Sequence, residues 1–87
     1  MRENPIHANR VVEYGHLIAH QTLPPSRCKP VDGRPVRVRA KTYAGDITEV
    51  EAPVVAVYKE WVCIAQDDDG GTWNAWVHRS CVSRAEG

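Results

Sequence analysis

From Pro35 onward the chain alternates apolar and polar residues with a period of two. Val36, Val38 and Ala40 interleave with Arg37, Arg39 and Lys41. Successive side chains of a strand point to opposite faces, so this run predicts a strand with one buried and one wet side. After the turn-forming Ala44-Gly45-Asp46, a second and longer strand runs from Thr48 to Lys59. It sets Val50, Ala52, Val54, Ala56 and Tyr58 opposite Glu49 and Glu51. Pro53 lies inside it and cannot donate to a ladder, which marks an edge position or a bulge. Glu60 to Gln66 reads as a third strand, Asp67-Asp68-Asp69-Gly70-Gly71 as an acidic hairpin turn, and Thr72 to His78 as a fourth strand. Arg79-Ser80-Cys81 then predicts a 3₁₀ turn, and Val82 to Arg84 a short last strand beside the first. The expected fold is mainly β, a small five-stranded antiparallel barrel over residues 35–87.

Residues 1–34 differ in composition. With Pro35 at the joint, this part holds Pro5, Pro24, Pro25 and Pro30, as well as His7, His16 and His20. Each proline fixes φ and lacks a donor, so Pro24-Pro25-Ser26-Arg27-Cys28-Lys29-Pro30 reads as an extended spacer. Before it, Asn9 can cap a helix over residues 10–23, with Val11, Tyr14 and Ile18 on one stripe. Gly15 weakens such a helix by about 1 kcal/mol. The same residues fit a hairpin, Val11 to Tyr14 and Leu17 to His20, turning at Gly15-His16. The helix is the preferred reading of this N-terminal arm.

The second half of the barrel carries a resemblance. A strand opening with Trp61-Val62, a glycine-containing turn, a strand ending in Trp76-Val77, the short turn His78-Arg79-Ser80-Cys81 and then Val82 resemble the closing half of an SH3-like barrel. The resemblance covers about residues 35–84 and is architectural. In SH3 domains the corresponding short turn carries the proline and tyrosine of the peptide groove, where this chain has His78 and Cys81. The acidic specificity loop of that family lies between the first two strands, where this chain has only Ala44-Gly45-Asp46. The resemblance therefore implies the fold and transfers no binding residue.

Composition narrows the function. Eleven Lys and Arg balance eleven Asp and Glu, whereas a dedicated nucleic-acid binder usually shows a basic excess. No apolar run approaches the roughly 20 residues of a membrane span, and the N-terminus lacks the apolar stretch of a signal peptide, which points to a cytoplasmic protein with no membrane partner. Three irregularly spaced cysteines fit reduced thiols better than a disulfide framework. No nucleophile elbow, P-loop, dinucleotide fingerprint or His-Glu-x-x-His motif occurs, so neither an enzyme nor a cofactor is expected. Cys63 and His78 lie on adjacent strands, as packing residues commonly do.

What remains is a binding module. Strict alternation turns Val55 and Val57 away from the barrel core, and both faces of the central strands are apolar. The second face needs cover from residues 10–23, with Val11, Val12, Leu17 and Ile18, from a second copy, or from another protein. Trp61, Trp73, Trp76, Tyr43 and Tyr58 supply the aromatic bulk of a chain without Phe. Trp73, Val55, Val57, Tyr43 and Trp61 are the candidate partner-binding residues, with Trp73 beside the acidic turn as the exposed anchor. The main expectation is a non-catalytic protein–protein interaction module, or a small accessory or assembly protein of the kind common in bacteria and their phages. The alternative is nucleic acid, tracked by Arg34, Arg37, Arg39 and Lys41 with Tyr43 stacking. The bland reading of that row is a solvated face meeting Glu49 and Glu51 across the hairpin. A third reading is a zinc-stabilised domain using His16 and His20, four apart, with the His78-x-x-Cys81 pair, although neither pair is a Cys-x-x-Cys knuckle. The acidic turn lacks the alternating ligands and terminal glutamate of a calcium loop.

Overall fold

A computed structural model describes residues 15–68 and 71–85, with Asp68 by its backbone only. It is mainly β. The strands are β1 (Lys29–Pro30), β2 (Pro35–Lys41), β3 (Ile47–Tyr58), β4 (Trp61–Asp68), β5 (Gly71–His78) and β6 (Val82–Arg84), with a 3₁₀ turn at Arg79–Cys81. Among the described residues there are six strands where five are expected, because Lys29 and Pro30 of the spacer pair with Val57 and Ala56. All pairings are antiparallel along the path β5-β4-β3-β2-β6, with β1 on β3. The sheet is open, since β5 and β6, the ends of that path, do not pair with each other.

The alternating residues of β2 behave as their pattern dictates. Val38 and Ala40 are buried, Arg37, Arg39 and Lys41 are exposed, and β6 pairs on the far side of β2 from β3. The β2–β3 connection closes with Thr42 N donating to Asp46 O at 2.8 Å and Gly45 N to Thr42 O at 2.9 Å. Gly45 has φ +100° with no atom within 4 Å of a Cβ placed there, so the left-handed backbone alone calls for glycine. Between β3 and β4 the turn is only Lys59-Glu60, and Lys59 takes φ 55°. A lysine carries no turn signal, which is why the sequence shows two abutting strands there and no hairpin.

One local event departs from strict alternation. The β3–β4 register shifts between Val54 and Ala56, so a β-bulge inserts one residue and inverts the phase of everything after it. Val54 packs with Val38, Ala52, Ile64, Ala75 and Val77 in the first core. Ala56 sits in a second cluster with Cys63 and Trp76, flanked by Val55, Tyr58 and Trp61. The expected common face for Val50 through Tyr58 therefore breaks at Val55. Pro53 does not form the bulge; it stands opposite Pro35 at the end of the β2–β3 ladder, where a missing donor costs least.

The expected helix does not form over its described part, residues 15–23; residues 10–14, with Val11, Val12 and Tyr14, lie outside the described residues. The chain instead turns at Gly15-His16 and continues as a non-helical arm joining the end of β2 to the outer edge of β5. Ala44 N donates to Gly15 O, Tyr43 N to Leu17 O and Ala19 N to Lys41 O, at 3.0–3.1 Å. Gln21 N donates to Trp76 O at 2.8 Å, and Trp76 N to His20 Nδ1 at 3.2 Å. Between these anchors, Ile18 is fully buried in the first core, and Gln66 Oε1 accepts from Ile18 N at 2.8 Å while Gln66 Nε2 donates to Ile18 O at 3.0 Å. A side-chain amide thus satisfies both backbone groups of a residue that no strand partners on that side. Replacing Gln66 by Leu strands the Ile18 N–H in a dry site. The expected cost is about 2–4 kcal/mol, read by urea denaturation, from one or two unmet buried polar groups.

Candidate functional site

The bulge decides what the surface offers. Val57, inverted in phase relative to strict alternation, shares a face with Val54 and pairs with Val62 of the first core. Together with Pro30, Val31, Asp32, Arg34 and Val36 they line an open groove of about 510 Å³ at the mouth of that core. The walls come from three places. Val31 N donates to Val55 O at 3.1 Å and Val54 N to Arg34 O at 3.0 Å, which stitches the 31–34 loop along β3. Gly33, at φ +86°, allows the loop to reverse into β2. Val36, Val54 and Val57 are half-buried, and Val31 is 39% exposed.

The electrostatics of the groove are one-sided. Arg34 lines it, Lys29 stands in register with Val57, and Arg84 stands in register with Val36. Lys29 and Arg84 thus stand next to two residues of the lining, Val57 and Val36. All three are exposed and form no ion pair among the described residues. Asp32 is the one carboxylate in the lining.

The aromatic residues do not converge. Tyr58, Trp61 and Trp76 belong to the second cluster, while Trp73 stands in register with Gln66 on the opposite face. Trp73 is half-buried with its Nε1 sealed from solvent, so it is not the exposed anchor the sequence suggested. Trp61 meets His78 edge to face at 5.3 Å. Tyr43 is 52% exposed on the β2–β3 turn and belongs to neither core cluster. Val55 packs beside the second cluster, and of the expected partner-binding residues only Val57 lines the groove. The groove itself escaped the sequence reading, because Val54-Val55-Ala56-Val57 is apolar throughout and hides the bulge.

The cover of the second face also differs from expectation. Leu17 and Ile18 are buried, but Ile18 adds to the first core. The spacer is anchored at the outer edge of β5 by Gln21 and at β3 by Lys29, with Thr22 and Pro25 half-buried between. Leu23 is left 86% exposed.

On the outer face of β2 the register sets Arg37 opposite Glu51 and Arg39 opposite Glu49, and Arg37 Nε lies 3.5 Å from Glu49 Oε2. The basic row meets an acidic one, as the bland reading holds. Arg34 departs from that row and joins the groove.

The zinc candidates are not assembled. His20 Nδ1 accepts from Trp76 N, and His78 Nδ1 accepts from Ser80 N at 3.1 Å as the N-cap of the 3₁₀ turn. Cys81 Sγ lies 3.4 Å from Gln21 Nε2. His16 lines a separate cavity with Thr42 and Asp46, and among the described residues no three His, Cys, Asp or Glu side chains cluster around a common point. Cys63 stands opposite Trp76 and His78 opposite Trp61, so register does not pair that thiol with that imidazole. Burial, with a smaller contribution from Cys28, pushes the Cys63 thiol above its ordinary value of 9.0. No helix among the described residues is long and apolar enough to cross a membrane.

No family model, curated protein or solved structure matches the chain.

The cysteine environments give an expected order of reaction. Cys28 is exposed and Cys63 is 3% exposed, so iodoacetamide at neutral pH labels Cys28 first and Cys63 only after unfolding, as peptide mass mapping will show. The linkage has a definite sign. The unfolded thiol ionises near pH 9.0 and the folded one higher, so this contribution to stability is intact below pH 9.0 and is lost as pH rises further.

Proposed function

We propose that this chain is a non-catalytic protein-interaction module with the architecture of a small SH3-like barrel. The strand order β5-β4-β3-β2-β6, the 3₁₀ turn before the last strand and the pairing of that strand with β2 support the barrel reading. The arm supports it too, because Gly15 to Gln21 bonds the end of β2 on one side and the outer edge of β5 on the other, spanning a seam the strands leave open.

The observation that carries the function is the groove of Pro30, Val31, Val36, Val54 and Val57. It is apolar, concave and backed by the first core, and a few apolar residues in such a setting typically hold the anchor of a partner chain. Nucleic acid, the other reading, is supported less well. Arg37 is engaged by Glu49, the net charge is zero, and among the described residues no aromatic ring contact of Tyr43 is seen.

Selection of a random peptide library on the immobilised protein tests the module. The expected result is enrichment of peptides with apolar anchors whose affinity falls at least about tenfold in Val31→Asp. That variant changes an exposed position and is checked for an unaltered β spectrum by circular dichroism. Failure to enrich, or indifference of the selected peptides to Val31→Asp, contradicts the proposal. Oligonucleotide binding that falls steeply with salt and is lost in Arg37→Glu/Arg39→Glu establishes the other reading.

A further inference from the structure

We infer that the groove selects an acidic aliphatic segment, an extended stretch with a Leu, Ile or Val anchor flanked by Asp or Glu. This deepens the reading of the groove as a protein-binding site and rests on it. Two independent features of the groove specify the two halves of that ligand.

The first is the chemistry of the floor. Val31, Val36, Val54, Val57 and the ring of Pro30 present aliphatic carbon, and among the described residues no aromatic lines the groove. A proline-rich ligand needs aromatic ridges to pack against, and an unstacked base needs an aromatic face, so the floor favours neither. An aliphatic side chain needs only complementary volume and exclusion of water, at roughly 25 cal/mol per Å² of apolar surface removed from solvent.

The second is the charge of the rim. Arg34 lines the groove, and Lys29 and Arg84 stand in register with its Val57 and Val36, at three separate points of the chain brought together by the β1–β3 and β2–β6 pairings. Against them stands Asp32, and none of the four is spent in an ion pair among the described residues. The contrast with the outer face of β2 is informative. There, in the same sheet, basic residues face glutamates strand to strand and Arg37 reaches Glu49. The cations around the apolar mouth have no glutamate in register with them, and there they complement carboxylates on a bound chain and speed its approach.

Fluorescence anisotropy with three labelled peptides tests this. One is Gly-Asp-Glu-Leu-Val-Asp-Glu-Gly, the second has its four acidic residues replaced by Lys, and the third has Leu-Val replaced by Ser-Ser. The acidic aliphatic peptide is expected to bind, with affinity falling as salt rises. The Lys peptide is expected to bind at least about tenfold more weakly, and the Ser peptide not measurably. Arg34→Glu/Arg84→Glu, both at exposed positions, should reverse the preference between the first two peptides. Equal binding of the acidic and Lys peptides, both lost in Val31→Asp, overturns the acidic selectivity and leaves the groove standing as a site. Failure of every aliphatic peptide to bind overturns the groove reading and this inference with it. Tight binding of the Ser peptide overturns the aliphatic anchor.

Discussion

The fold depends on how one buried residue of the N-terminal arm keeps its backbone satisfied. Ile18 fills the first core, and a residue can be that deep only if its N–H and C=O find partners, because each unmet buried group costs more than a formed bond contributes. The strands supply none on the side facing β4. Gln66 supplies both, with an amide that imitates the edge of a strand. The sequence cost is a buried glutamine in β4, and the return is an arm tied to both β2 and β5. That tie covers the β5 edge, which would otherwise present unpaired donors and acceptors to other chains. The arm is therefore part of the domain.

A second constraint, the bulge near Val55, converts this scaffold into a surface. Without it, alternation would keep Ala56 on the face of Val54 and leave Val57 on the side of Trp76. With it, β3 serves two cores in succession, the first with Val50, Ala52 and Val54, the second with Val55 and Ala56. Val57 then returns to the mouth of the first. The spacer completes the wall, since β1 pairs with β3 just past the bulge and the loop to Arg34 runs back along it. Groove, cationic rim and bulge are in this sense one feature, set by a single inserted residue.

The legibility of the sequence follows these same lines. β2, the β5 hairpin strand, the 3₁₀ turn and the β6 pairing were readable, because Val-Arg alternation, the glycine turn and the His78-to-Val82 run are local signals. The arm was not. Val11, Tyr14 and Ile18 have helical spacing, while the non-helical path of residues 15–21 rests on bonds to Lys41, Tyr43, Gln66 and Trp76, far away in sequence. The bulge was hidden by four consecutive apolar residues that read equally well on either face. Strict alternation makes Val57 an outward residue, and the register shift between Val54 and Ala56 brings it to the groove. Arg34 immediately precedes the basic β2 row and continues its pattern in sequence, yet the turn at Gly33 places it at the groove.

The most direct test of the central claim is native-state amide hydrogen exchange. If Gln66 makes the arm part of the cooperative unit, the amides of Ile18, Ala19 and Gln21 exchange with protection close to that of Val38 and Val62 in the strands. Arm amides that exchange orders of magnitude faster than those strand amides would mean that the arm opens independently of the sheet, and would contradict the account.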